Sequence, residues 1–226
     1  KRVERELTTE EWQLILDKAW QAGIPHIVFT GGEATLREDL PQLIAHAEKN
    51  GQVCGLLTDG LKLADKDYLE LLLQTGLDHV MVILQPDEPR SWKAIEIIVP
   101  QDLFLTAHLT LNKENVHEAK SILERVANLA VENISLSTSD NDLLDELLEL
   151  QSVASSLRLT IRWDLPVPNS ASHPVAIETQ DDEVPAGAGK TWMYVEPDGD
   201  VLPAQGEADK VLGNFLKDAW EAISKN

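Results

Sequence analysis

Cysteine is almost missing from this chain: there is one, Cys54, in 226 residues. That excludes an internal disulfide and any metal centre that needs two thiolates from these residues. Positive charge is scarce as well, with 19 lysines and arginines against 39 acids and a net charge of −20. No basic cluster stands out that could track a phosphate backbone, so nucleic acid is a poor partner. No apolar run nears the roughly 18 residues a membrane span needs, and the amino-terminal stretch has no signal-peptide pattern. The expectation is a soluble, cytoplasmic protein with no membrane partner. The length suits one domain, or one domain plus a small appendage, with a substantial core. The chain opens on Lys1 rather than Met, from which a segment ahead of it is expected to have been removed.

What is present is a regular alternation of apolar strands and amphipathic helices. Thr8 with Glu11 three residues on forms a capping box, and Trp12, Ile15, Leu16 and Ala19 then recur at helical spacing up to Gly23. Ile27 to Thr30 reads as a strand, and Asp39 as the cap of a helix carrying Leu43, Ile44 and Ala47 inward. Strands follow at Val53 to Thr58, Val80 to Leu84, Leu103 to Thr110, Ile134 to Thr138 and Leu157 to Trp163, with helices between them. One of these helices is assigned a cap at Asn115, completed by Glu118. Strand starts near residues 26, 53, 80, 103, 134 and 157 are 23 to 31 residues apart, the spacing of repeated βα units and hence of a parallel sheet.

Periodicity alone leaves open whether such a sheet is flat or curled. In 104–110, Thr106, His108 and Thr110 alternate with Leu105, Ala107 and Leu109, and Ser135 and Ser137 alternate with Ile134 and Leu136. One face of these strands is apolar, against helices, and the other polar. That pattern suits a partial (βα) barrel with an interior lined for a polar ligand.

The organising stretch is His26 to Glu33, an apolar strand closed by Thr30-Gly31-Gly32 and followed at once by a carboxylate. Paired glycines bend the backbone sharply and admit a ligand close to it. Glu33 is therefore presented at the carboxyl end of a strand, the edge where α/β folds bind small ligands. The chain divides into a barrel over residues 1–165, a linker over 166–190 with four prolines and Asp181-Asp182-Glu183, and an extension over 191–226. In the extension, Trp192 to Val195 and Val201-Leu202 flank the turn sequence Glu196-Pro197-Asp198-Gly199-Asp200 as a β-hairpin, and 213–223 form a small closing helix.

Leu7-Thr8-Thr9-Glu10-Glu11-Trp12, Phe29-Thr30-Gly31-Gly32-Glu33, Leu36-Arg37-Glu38-Asp39-Leu40, Thr58-Asp59-Gly60 and Leu111-Asn112-Lys113-Glu114-Asn115 together resemble the radical S-adenosylmethionine superfamily. The tail from Tyr194 to Ala204, with Leu212-Gly213-Asn214, is similar to the SPASM or twitch branch, which includes peptide-modifying maturases. The resemblance implies a partial barrel holding a 4Fe-4S cluster on a CxxxCxxC loop. There S-adenosylmethionine would be cleaved reductively to start radical chemistry on a peptide or small-molecule substrate, with electrons from a donor such as flavodoxin or ferredoxin. It places Thr30, Gly31, Gly32 and Glu33 at the methionine amino group of the cofactor, and Thr58, Gln85 and His108 toward its ribose, its carboxylate or the substrate. An ammonium needs acceptors, which turn carbonyls and a carboxylate supply.

The sequence departs from the family pattern in two places. It contains no CxxxCxxC, the thiolates that hold such a cluster, so the ligands are expected upstream of Lys1. Ala204, and Thr191 or Trp192, stand where auxiliary-cluster cysteines would fall, which leaves the hairpin a structural remnant. Two rival readings follow from the same residues: a degenerate barrel that binds a peptide or protein partner without chemistry, and a barrel aldolase or isomerase using Glu33, Asp59 and His108 for proton transfer. Cys54 reads as a buried hydrophobe, Asp164 as a turn residue or an acid at the barrel mouth, and His26 and His79 as hydrogen-bonded strand starts.

Overall fold

A computed structural model describes residues 5–138, 140–162, 187–205, 207 and 209–225. The expected linker up to residue 186, with Asp164 and the acidic run, lies outside the described residues, as does Trp163. Six strands form one sheet in sequence order: β1 His26–Phe29, β2 Val53–Thr58, β3 His79–Ile83, β4 Phe104–Leu111, β5 Asn133–Thr138 and β6 Thr160–Ile161. Every neighbouring pair is parallel. Consecutive order with helical crossovers keeps the helices on one side, so the sheet curls as a partial (βα) barrel.

The crossovers are α2 Leu40–Asn50, α3 Lys66–Gln74, α4 Pro89–Ile98, α5 Ala119–Asn128 and α6 Leu144–Ser156, preceded by α1 Thr9–Gln21. Their inward side chains pack on the outer face of the sheet: Ile44, Leu72, Ile95, Ile98 and Leu123 meet Cys54, Leu56, Val82, Leu109 and Ile134 in one core. Burying each such aliphatic side chain contributes about 1.5–3 kcal/mol. Alternate residues face the other way. Val28, Leu57, Met81 and Ile83 cluster there on β1 to β3, and Thr106, His108, Ser135 and Ser137 carry the polar part on β4 and β5. The interior is thus half apolar and half polar, where the sequence pattern showed only the polar half.

The capping box of α1 forms as read: Glu11 N–H donates to Thr8 Oγ1 and Thr8 N–H to the Glu11 carboxylate. Other ends differ from expectation. Asp39 precedes α2 but gives it no side-chain cap, because its carboxylate is taken by Arg37, 2.6 Å away, and by the Thr9 hydroxyl. Asn115 caps no helix. It folds back on the turn instead, accepting from Asn112 N–H and donating to the Thr110 carbonyl, and α5 begins only at Ala119. Asparagine competes for local backbone groups in this way whenever a turn offers them. β1 stops at Phe29, and the described part of β6 is two residues long.

The extension is a three-stranded antiparallel sheet, β7 Tyr194–Val195, β8 Asp200–Leu202 and β9 Gly213–Asn214, with α7 Trp220–Ile223. The hairpin is as expected, whereas Gly213-Asn214 pairs as a strand rather than joining a helix. Residues 187–190 form a turn, with Ala188 bridging Trp192. The sheet docks on α1 through Leu7, Ile15, Ala19, Val201, Phe215 and Ile223. Lys18 Nζ donates to the carbonyls of Phe215 at 2.6 Å and Leu216 at 3.2 Å, and Leu7 N–H to Pro197 O at 2.8 Å, so the contact is pinned at both ends of the helix.

Candidate functional site

β1 ends one residue before Thr30, and the chain leaves the sheet through Gly31 and Gly32. Gly31 has φ +128, a region that side chains with a β-carbon rarely adopt, and nothing lies within 4 Å of where a β-carbon at either glycine would stand. The turn is open on that side. Beside it the Thr30 hydroxyl is buried and has no hydrogen-bond partner.

Glu33 follows in extended conformation and caps a short 3₁₀ turn, Ala34–Leu36. Its Oε1 accepts from Thr35 N–H at 2.9 Å, the Thr35 hydroxyl at 2.6 Å and, from the neighbouring strand, the Thr58 hydroxyl at 2.7 Å. Its Oε2 accepts from Asp59 N–H at 2.8 Å. A carboxylate offers about four lone-pair directions. Three of these donors reach Oε1 and one reaches Oε2. The carboxylate is held at one angle between the ends of β1 and β2.

Charge gathers around it. The Asp59 carboxyl is pushed up from the ordinary range, chiefly by burial and further by the like charge of Glu33 and a hydrogen bond shared with its carboxylate, against the Leu61 N–H it accepts at 2.9 Å and the field of Arg90. Lys62 Nζ donates to the Thr35 carbonyl at 2.6 Å and lies 4.3 Å from the centre of the Tyr68 ring. Burial, then the charge of Glu33, pushes the Tyr68 phenol up to about 12, and its oxygen is buried without a partner.

Further round the sheet, His108 is fully buried on the inner face of β4. Its Nε2 is 3.1 Å from both the Thr110 and Ser137 hydroxyls, while its Nδ1 has no partner. Burial drives this imidazole down to about 3, so it is neutral. The Thr106 hydroxyl below it is also buried and unpartnered. Gln85 is exposed just past β3, and the preceding Leu84 N–H donates to the His108 carbonyl at 2.8 Å, so β3 ends beside His108, three residues before the end of β4.

Of the residues singled out from sequence, Thr30, Gly31, Gly32, Glu33 and Thr58 thus come together in one turn cluster. Gln85 and His108 sit farther along the sheet, and among the described residues no hydrogen bond joins either to Glu33. Thr35, Lys62 and Tyr68 were not picked out from sequence. The spacing of Thr35, two residues after a turn carboxylate, was the available signal. Cys54 is buried on the helix-facing side of β2, where burial pushes its thiol up to about 12, the opposite of what a metal ligand needs. Ala204, in the position of an auxiliary-cluster cysteine, is fully buried. Among the described residues no group of three or more His, Cys, Asp or Glu could hold a metal ion, and no helix is long and apolar enough to cross a membrane.

Six parallel strands in sequence order, with a glycine-opened turn and a fixed carboxylate at their ends, define a partial-barrel βα protein. Residues 1–117, just over half of the chain, match the Radical SAM superfamily, and the chain belongs to that family. It is 28% identical over 227 residues to the PqqA peptide cyclase of Streptomyces rochei, an alignment that takes in 89% of this chain and 62% of that protein. In fold it is similar to Streptococcus suis SuiB bound to S-adenosylmethionine, at a TM-score of 0.76 and 16% identity over 100% of this chain and 60% of that one. SuiB bound to its precursor peptide SuiA gives a TM-score of 0.72 at 15% identity over the same shares. The chain therefore spans about three fifths of the length of these relatives.

Proposed function

We propose that this chain is the barrel and carboxyl-terminal extension of a radical S-adenosylmethionine enzyme of the SPASM or twitch branch that modifies a peptide, and that the Glu33 turn holds the cofactor. The observation that carries the reading is the combination at that turn of unshielded glycines, an orphaned Thr30 hydroxyl and a carboxylate fixed in orientation beside them. An amino-acid ammonium has three donors to place, and this donor-poor, acceptor-rich corner matches it. S-adenosylmethionine, when bound beside a reduced 4Fe-4S cluster, supplies the radical that takes hydrogen from substrate.

The protein's own part is binding and orientation. Thr35, Thr58 and Asp59 fix the Glu33 carboxylate so that it meets an ammonium without reorganising. Lys62 fastens the turn from outside through the Thr35 carbonyl. His108, neutral and with Nδ1 unpaired, offers a hydrogen bond to an uncharged polar group from the ribose or the substrate. The cluster itself does not fit the residues present, because one buried cysteine cannot bind it. A peptide substrate is supported by the cyclase relatives and by the peptide-bound neighbour, and a flavodoxin- or ferredoxin-type donor by the chemistry.

A second reading has its own support. Glu33 already accepts four hydrogen bonds from the chain, as a purely structural carboxylate would. A barrel that binds a partner without chemistry would use it so. Calorimetric titration of the intact protein with S-adenosylmethionine separates the two: saturable binding that weakens in Glu33→Gln supports the enzyme, and no binding supports the partner-binding barrel.

A further inference from the structure

At the end of the sheet opposite Glu33, His26 opens β1 and His79 opens β3. In the parallel register His26 pairs with Val53, and Gly55 pairs with both Val28 and His79, so the two histidines project on one face across β2. Their rings meet edge to face, with centroids 4.9 Å apart, and their Nε2 atoms are 2.6 Å apart. That separation is under the usual range for an N–H and its acceptor. The strand between them makes the approach possible, because a β-carbon on Gly55 would stand 2.0 Å from Cε1 of His79. Only glycine lets the His79 ring lie flat over β2 and turn its Nε2 toward His26.

We propose that His26 and His79 form a two-imidazole site for a borderline divalent cation such as zinc, copper or nickel. Two imidazoles converging through Nε2 are the donor set these ions select over harder cations. Zinc–nitrogen bonds of about 2.0–2.1 Å at a tetrahedral angle put two such nitrogens about 3.3 Å apart. Rotation of His26, which is exposed, opens the gap to that span. Among the described residues no group of three or more His, Cys, Asp or Glu could hold a metal ion, so these two imidazoles are the ligands on which the assignment rests. Occupied, it clips β1 to β3 over the top of β2. It is separate from the Glu33 turn and independent of the cofactor reading.

The test uses the intact protein purified without a polyhistidine tag and stripped with chelator. Zinc chloride is titrated by calorimetry, and copper(II) is added for electron paramagnetic resonance. The site predicts that wild type binds one more equivalent of zinc than either His26→Gln or His79→Gln, and that its copper spectrum carries splitting from two equivalent nitrogens that both variants lose. Zinc should also raise the wild-type Tm by several degrees, and raise it less in the variants. Because His26 is exposed, its variant folds even if the His79 change disturbs the sheet. Equal zinc stoichiometry and affinity in wild type and His26→Gln would overturn the assignment, as would loss of the same equivalent in His46→Gln, which only separates a ring from Asp17.

Discussion

The hydroxyl of Thr58, the last residue of β2, donates to Oε1 of Glu33 at 2.7 Å, tying the turn after one strand to the end of the next. The bond helps hold a carboxylate in a glycine-rich turn at one orientation. Thr58→Val removes it while preserving shape, and should lower stability by about 2 kcal/mol in urea unfolding, the usual cost of a hydrogen bond to a charged acceptor. S-adenosylmethionine affinity should fall several-fold with it, measured by calorimetry on the same variant.

Gly55→Ala places a methyl group against the His79 ring and should cost about 1–3 kcal/mol through forced repacking. Gly55→Ala combined with His79→Ala should recover most of that loss. Thermal unfolding of both variants checks the pair.

His108 makes stability depend on pH with a definite sign. Buried and neutral, it titrates near 3 in the folded protein but near 6.5 when unfolded, so below about pH 6.5 the unfolded chain binds the extra proton. Its contribution is fully present above pH 6.5 and is lost as pH falls toward 3, at up to about 1.4 kcal/mol per pH unit. Urea unfolding at pH 7 and pH 5 should show this slope in wild type and a shallower one in His108→Gln.

Phe215→Ala should detach the extension from α1. The ring is buried against Ile15 and Ala19 and stacks on Trp220 at 5.9 Å, so truncation should cost about 3–5 kcal/mol in that contact. Limited proteolysis should then cut within the extension while the barrel persists.

The barrel was legible because repeated βα units write two periods into the chain, and Thr106, His108 and Thr110 gave away an inner face. The Glu33 turn was legible from paired glycines before an acid. Its hydrogen bonds were only half so, since Thr58 stands at a readable strand end while Lys62 and Tyr68 reach the turn through tertiary packing that no local pattern encodes. Asn115 reads as a helix cap because a turn asparagine and a cap look alike in sequence until the competing partner, here Asn112, is placed. β9 is too short to have a period. The His26 and His79 pair needed the register of three strands before the rings could be brought together.

The most direct test of the central claim is the dissociation constant of S-adenosylmethionine for the intact protein and for Glu33→Gln, with circular dichroism confirming that both are folded. The turn-cluster account predicts at least a tenfold weakening, about 1.4 kcal/mol, on loss of the carboxylate charge facing the ammonium. Equal affinity in two folded proteins would contradict it.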